Sequence, residues 1–133
     1  MSKKTKATLA EIIARKKQGE MDKLSVKYYD SEVLGTSIEV RKIPLKKFMS
    51  LVEDMEDEGD AVEGLDSMNK LIFEVCPMFR EDTKEAMEIY GVKEPTDLPS
   101  AILEEQMNEM KDIVEIANTF YGLDKIEADI KKG

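Results

Sequence analysis

Strict alternation of apolar and polar residues occurs in one region of this chain, and helical spacing governs almost everything after it. Leu24, Val26 and Tyr28 alternate with Ser25, Lys27 and Tyr29, and Thr36, Ile38 and Val40 alternate with Ser37, Glu39 and Arg41. A period of two is that of a half-buried strand, so two strands are expected, at about 24–29 and 36–42, with Asp30 to Gly35 as the hairpin loop. An isolated two-stranded hairpin is marginal in water. Because no third alternating stretch follows, the apolar face of the hairpin must rest on helices, or its edge must pair with another strand. The expected fold is α+β and mostly helical.

Helix signals flank the hairpin on both sides. Thr8 with Glu11 three residues later forms a capping box, and Leu9, Ile12 and Ile13 then share one face of a short N-terminal helix running to about Lys17, before Gly19. That helix is too short to stand alone, and Lys3, Lys4, Lys6, Arg15, Lys16 and Lys17 surround it with positive charge. Residues 1–22 therefore read as a basic arm that orders against something else, another chain included, and 23–133 as one compact domain. Four to five helices are expected after the hairpin. Pro44 opens the first, with Leu45, Phe48, Met49, Val52 and Met55 at helical spacing. Leu65, Met68, Leu71, Ile72 and Val75 mark the next, stopped at Cys76 and Pro77. Asp82 is placed to cap a third carrying Ala86, Met87 and Tyr90, with Gly91 as its stop. Asp97 starts a long helix, 98–121, ended by Gly122, and Ile126 and Ile130 belong to a last turn or two over 124–130.

Composition excludes whole classes of chemistry. With no histidine and a single cysteine in 133 residues, neither a histidine-based nucleophile pair nor a zinc site of the usual kind can be built. The opening MSKKTKATLAE lacks an apolar core followed by a cleavage site, and apolar runs stop far short of the roughly 20 residues that span a bilayer. A cytoplasmic protein with no membrane partner is expected. The net charge of −9 is uneven, with 12 Lys+Arg against 6 Asp+Glu in residues 1–47 and 8 against 23 in the remainder. An acidic body repels phosphate backbones, so no nucleic acid partner is expected. The run EDMEDEGD, 53–60, begins like a calcium loop, but its ninth and twelfth positions are Val62 and Leu65, so a solvated acidic loop is expected instead. Pairs such as Glu81 with Glu85, or Glu104 with Glu105, have no phosphate loop or nucleophile elbow beside them and read as wet helix faces. Cys76 reads as a small buried hydrophobe. No catalytic residue, metal or cofactor is expected, and the chain reads as a non-enzyme.

The long helix carries more apolar surface than one core contact requires. At about 100° per residue, Leu103, Met107, Met110, Val114, Ala117 and Tyr121 form one stripe, and Ile102, Ile113, Ile116 and Phe120 a second, broken by Gln106 and Glu109. Either the helix is wedged between two layers of its own domain, or one stripe faces a partner, in which case Ile102, Met107, Met110, Ile113, Ile116 and Phe120 are the candidate partner-binding residues. Nine methionines suit either an adaptable surface or a methionine-filled core.

The order of segments resembles the phage tail assembly chaperones of the XkdN-like family, found in phages and prophages of Gram-positive bacteria. The resemblance rests on TLAEIIARKKQGEMDK, IEVRKIPLKKFMSLVEDM, LIFEVCPMF, YGVKEPTDLP and IANTFYGLDKIEADIKK, which together cover nearly the whole chain. It implies a non-enzymatic protein of the bacterial host cytoplasm that binds the tape measure protein during virion morphogenesis and is absent from the mature virion. It supplies no catalytic residues. It further implies a longer product, made by ribosomal frameshifting near Lys131 and Lys132, whose extension recruits tail tube protein. The competing class is a small helical adaptor or regulatory protein that forms a homo-oligomer through the 98–121 helix.

Overall fold

The hairpin forms where the alternation stands. In the computed structural model, which describes residues 8–17, 25–57 and 61–123, β1 (Val26–Ser31) pairs antiparallel with β2 (Thr36–Arg41), Tyr29 opposite Ile38. The turn over residues 32–35 closes on Gly35, whose φ of 64° favours a residue without a Cβ, and the Gly35 N–H donates to the Ser31 carbonyl at 2.9 Å. Asp30, expected in the loop, belongs to the strand and accepts the Ser37 hydroxyl across the pair at 2.6 Å. The start of the arm, its boundary at 22/23, Leu24, residues 58–60 of the acidic run and the helix expected at 124–130 lie outside the described residues.

Which face of β1 is buried differs from the expectation. Residues directly opposite in an antiparallel pair share a face, so Ile38 and Val40, both fully buried, place Tyr29 and Lys27 on the inner side. Tyr28 points outward and is 64% exposed. The apolar alternation of β1 is thus out of phase with its burial. Its inner face is held by polar contacts: Ser31, Tyr29 and Lys27 each hydrogen-bond a helix residue, so the core side of this strand carries little hydrophobic signal.

Six α-helices are present among the described residues. At α1 (Leu9–Lys17), Thr8 caps as the sequence suggests, its hydroxyl accepting the Glu11 N–H at 3.3 Å. α2 (Leu45–Asp57) follows Pro44, whose carbonyl accepts the Phe48 N–H at 3.0 Å. α3 (Ala61–Val75) stops at Cys76, and Pro77 begins a short 3-10 turn to Arg80. The Arg80 guanidinium folds back onto the Phe73 and Glu74 carbonyls, supplying donors to the end of α3 where the ladder runs out. α4 (Thr83–Tyr90) ends at Gly91 in the left-handed conformation, with φ 67°. Asp82 stands at its N-cap position but is itself left-handed and makes no side-chain cap bond.

The expected 98–121 helix is two helices. α5 (Leu98–Ile102) and α6 (Met107–Thr119) are separated by a break at which Glu104 and Glu105 have φ of 55° and 61°. The Glu105 N–H reaches the Ser100 carbonyl at 2.7 Å and the Glu104 N–H reaches Ala101 at 3.2 Å, the bonding of a Schellman stop. Such stops normally carry glycine, and two glutamates are good helix formers, so propensity points the wrong way here. Tertiary packing holds the break. Leu98 and Pro99 are buried before it and Leu103 within it, and Asn69 of α3 clasps Ser100 through both its amide atoms, at 3.0 and 2.9 Å.

These elements close one hydrophobic core of Ile38, Val40, Phe48, Leu71, Ile72, Val75, Cys76, Phe79, Leu103, Met110, Ile113 and Ala117. α6 packs against α3 on one side and against both strands on another. The wide apolar arc is therefore consumed by two layers of its own domain.

Candidate partner-binding surface

The six residues assigned to a partner face do not form one surface. Met110 and Ile113 are fully buried core residues, which corrects the expectation for these two, because in the folded chain nothing can reach them. Ile102, Ile116 and Phe120 are half-buried against the core. Phe120 meets Tyr121 edge-on, with centroids 6.4 Å apart, and the Lys27 ammonium of β1 lies 5.1 Å from its ring centre. Met107, at the first position of α6, is the one of the six classed as exposed, at 41%.

Two polar clasps hold α6 and the segment after it, and the sequence reading missed both. The first turn of α6 carries Glu109, 3% exposed, whose carboxylate accepts the Ser31 hydroxyl at 2.5 Å and the Val33 N–H at 2.9 Å. Negative charge suits a helix N-terminus, and these charge-assisted bonds replace the water the carboxylate loses. Glu109 interrupts the apolar arc of α6 in the sequence, and that interruption was the available signal. Tyr29, nearby, keeps its phenolic proton. Burial first, and then the negative charge of Glu109 and Asp112, pushes its pKa up to about 12. At the other end, Tyr121 stacks on Phe48 with centroids 4.3 Å apart, and its hydroxyl donates to the Ile43 carbonyl at 2.7 Å while accepting the Ile43 N–H at 3.0 Å. Burial raises the Tyr121 pKa as well. These groups clasp the elements together: Glu109 ties α6 to the hairpin and Tyr121 ties the segment after α6 to Ile43.

Most of the exposed large apolar side chains lie on other helices. On α2, Leu45 and Met49 stand one turn apart in solvent; on α4, Ile89 is 72% exposed and Tyr90 46%. Helical spacing places Ile89 beside Glu85, one turn away, off the face that carries Ala86, Met87 and Tyr90. The spacing of Ile89 against Glu85 is a signal that the sequence itself carries.

The remaining reactive groups are quiet. Cys76 is buried, and burial pushes its thiol up to about 12 despite the opposing pull of Arg80, so the thiolate that would react is scarce. Among the described residues no group of three or more His, Cys, Asp or Glu is placed to hold a metal ion, and no helix is long and apolar enough to cross a membrane. The acidic side chains at the α3–α5 junction raise the pKa of Asp97, through burial first and then repulsion from Asp66 and Glu94. Comparison with protein-family models, with curated proteins and with solved structures found no match to this chain.

Proposed function

We propose that this chain is a non-enzymatic phage tail assembly chaperone that binds and solubilises the tape measure protein in the bacterial host cytoplasm and is left out of the mature virion. The observation that carries this reading is the ordered run of sequence segments from Thr8 to Lys132 resembling the XkdN-like family. A tape measure protein is a long helical chain whose apolar stripes stay exposed until the tail tube closes round it, so it needs a soluble coat. An acidic domain with large apolar side chains held out in water fits that task. On α4, Ile89 stands exposed beside Glu85 one turn away, an apolar side chain with an acidic neighbour, suited to a helix with basic flanks. On this reading a longer frameshifted product would carry tail tube subunits to the same complex.

A helical adaptor that self-associates through 98–121 finds less support. It would need the stripe that Met110 and Ile113 commit to the core, and the segment is broken at Glu104 and Glu105. Co-expression tests the chaperone reading. A tape measure fragment that is insoluble alone should remain in solution with this chain and co-purify with it, and Ile89→Asp should reduce the co-purified fraction while leaving the chain folded. A fragment that stays insoluble beside abundant folded chain would overturn the reading.

A further inference from the structure

α1 holds its apolar side in water. Leu9 is 72% exposed, Ile12 41% and Ile13 46%, and no residue of the helix is buried. A nine-residue helix has too few hydrogen bonds to outweigh its nucleation cost unless something covers that side. α2 presents a matching stripe: Leu45 and Met49 are 50% and 57% exposed, and Glu53 and Asp54, further along, are exposed too. The two helices repeat the same spacing with opposite final charge, Leu9, Ile13 and Lys17 on one, Leu45, Met49 and Glu53 on the other. Laid parallel, Leu9 covers Leu45, Ile13 covers Met49, and Lys17 meets Glu53. Laid antiparallel, the basic last turn of α1 would face Lys46 and Lys47, and Leu9 would face Glu53. Charge therefore selects the parallel arrangement.

We propose that α1 of one copy docks parallel on the Leu45–Met49–Glu53 stripe of a second copy, and that the exchange is reciprocal. Among the described residues of its own chain, nothing buries the apolar side of α1. One such contact is also far smaller than the roughly 1,200 Å² of total surface a stable interface buries, whereas a two-fold exchange doubles it and closes the assembly. The chain can make the crossing. Ser25 lies beside the start of α2, its carbonyl accepting the Lys42 N–H at 2.9 Å, and residues 18–24 can span up to about 25 Å between there and α1. This inference is independent of the tape measure reading.

Light scattering on the full chain should give a dimer, weakened at least about tenfold by Ile13→Asp or by Met49→Asp. Lys17→Glu should weaken it as well, and adding Glu53→Lys to that variant should restore it. All four positions are exposed, so the body should stay folded and far-ultraviolet dichroism should lose no more than the nine residues of α1. Mixing a chain carrying Ile13→Cys with one carrying Met49→Cys under oxidising conditions should give a covalent heterodimer, and replacing Met49→Cys by Ile89→Cys should not. This pairing reads the contact even if Met49→Asp does not fold. A wild-type chain that stays monomeric at the highest concentration reached would overturn the proposal. So would dimers that survive both aspartate substitutions, or a 13–49 disulfide that forms only within a doubly substituted chain, which would place α1 on its own α2.

Discussion

α1 and α6 are both amphipathic by spacing, and the structure uses them in opposite ways. α1 sets Leu9, Ile12 and Ile13 on one side and buries none of them. α6 sets apolar residues over a wide arc and buries Met110, Ile113 and Ala117 completely. An apolar stripe says that a face should be covered and is silent on what covers it. For α6 the cover is intramolecular, because strands on one side and α3 on another are already in place. For α1, which is short and basic at its end, no element among the described residues buries a residue of it.

The largest expected effect tests this contrast directly. Ile113→Ala removes buried methylenes from a close-packed site and should destabilise the fold by about 2–5 kcal/mol in urea or thermal unfolding. Ile13→Ala, measured in dilute protein so that exchange between copies contributes little, should change stability by less than about 0.5 kcal/mol. Equal effects would mean that α1 belongs to the core.

The clasp between α6 and the hairpin comes next in size. Glu109→Ala leaves the Ser31 hydroxyl and the Val33 N–H without their acceptor in a buried site, an expected loss of about 1–3 kcal/mol. Glu109→Gln retains an acceptor oxygen and should lose less. If alanine proved harmless, the polar inner face of β1 would not be what docks the hairpin, and the contrast between the two helices would rest on apolar contacts alone.

Most of the architecture was legible because its signals were local. Pro44, Pro77 and Gly91 bound helices where backbone chemistry demands it, and Thr8 caps α1 through one hydroxyl. The hairpin was legible as a pair of strands, while the buried face of β1 was not, since the residues that dock it, Tyr29 and Ser31, do so through hydroxyls whose acceptors lie some 80 positions away on α6. The break at Glu104 and Glu105 was illegible for a related reason. No glycine or proline announces it, and it exists because Leu98, Leu103 and the Asn69–Ser100 clasp are satisfied together only if the chain turns. The candidate surface is the least legible part: the arc over 98–121 allows either a wedged helix or a partner face, and only the packing of α6 against α3 and both strands decides for the first.

That break can be sharpened by a substitution expected to stabilise. Left-handed backbone costs a residue with a Cβ about 1–2 kcal/mol, and glycine escapes the cost while loosening the unfolded chain. Glu104→Gly should therefore raise stability by up to about 1 kcal/mol, seen as a higher midpoint in urea. In an unbroken 98–121 helix the same change would lower stability by about 1 kcal/mol, so the sign alone separates two helices from one.

The smallest effect probes the boundary between closed and open surface, where Asp97 sits half-buried near Asp66 and Glu94. Burial and the two neighbouring carboxylates raise its pKa above the ordinary value of 3.8. A raised carboxylate pKa means that the folded chain holds the proton more tightly than the unfolded one does. The resulting stabilisation is present below the unfolded value and is lost as pH rises through the folded one. At neutral pH the charged Asp97 is consequently a small burden. Asp97→Asn, neutral throughout, should unfold at a slightly higher temperature than the parent at pH 7, by less than about 1 kcal/mol given how far solvent screens a half-exposed group. The advantage should shrink as pH falls through the raised folded-state value, where the parent takes up its proton. An advantage that stayed constant from pH 7 down through that value would trace the gain to the start of α5 itself, with no part played by charge repulsion across the α3–α5 junction.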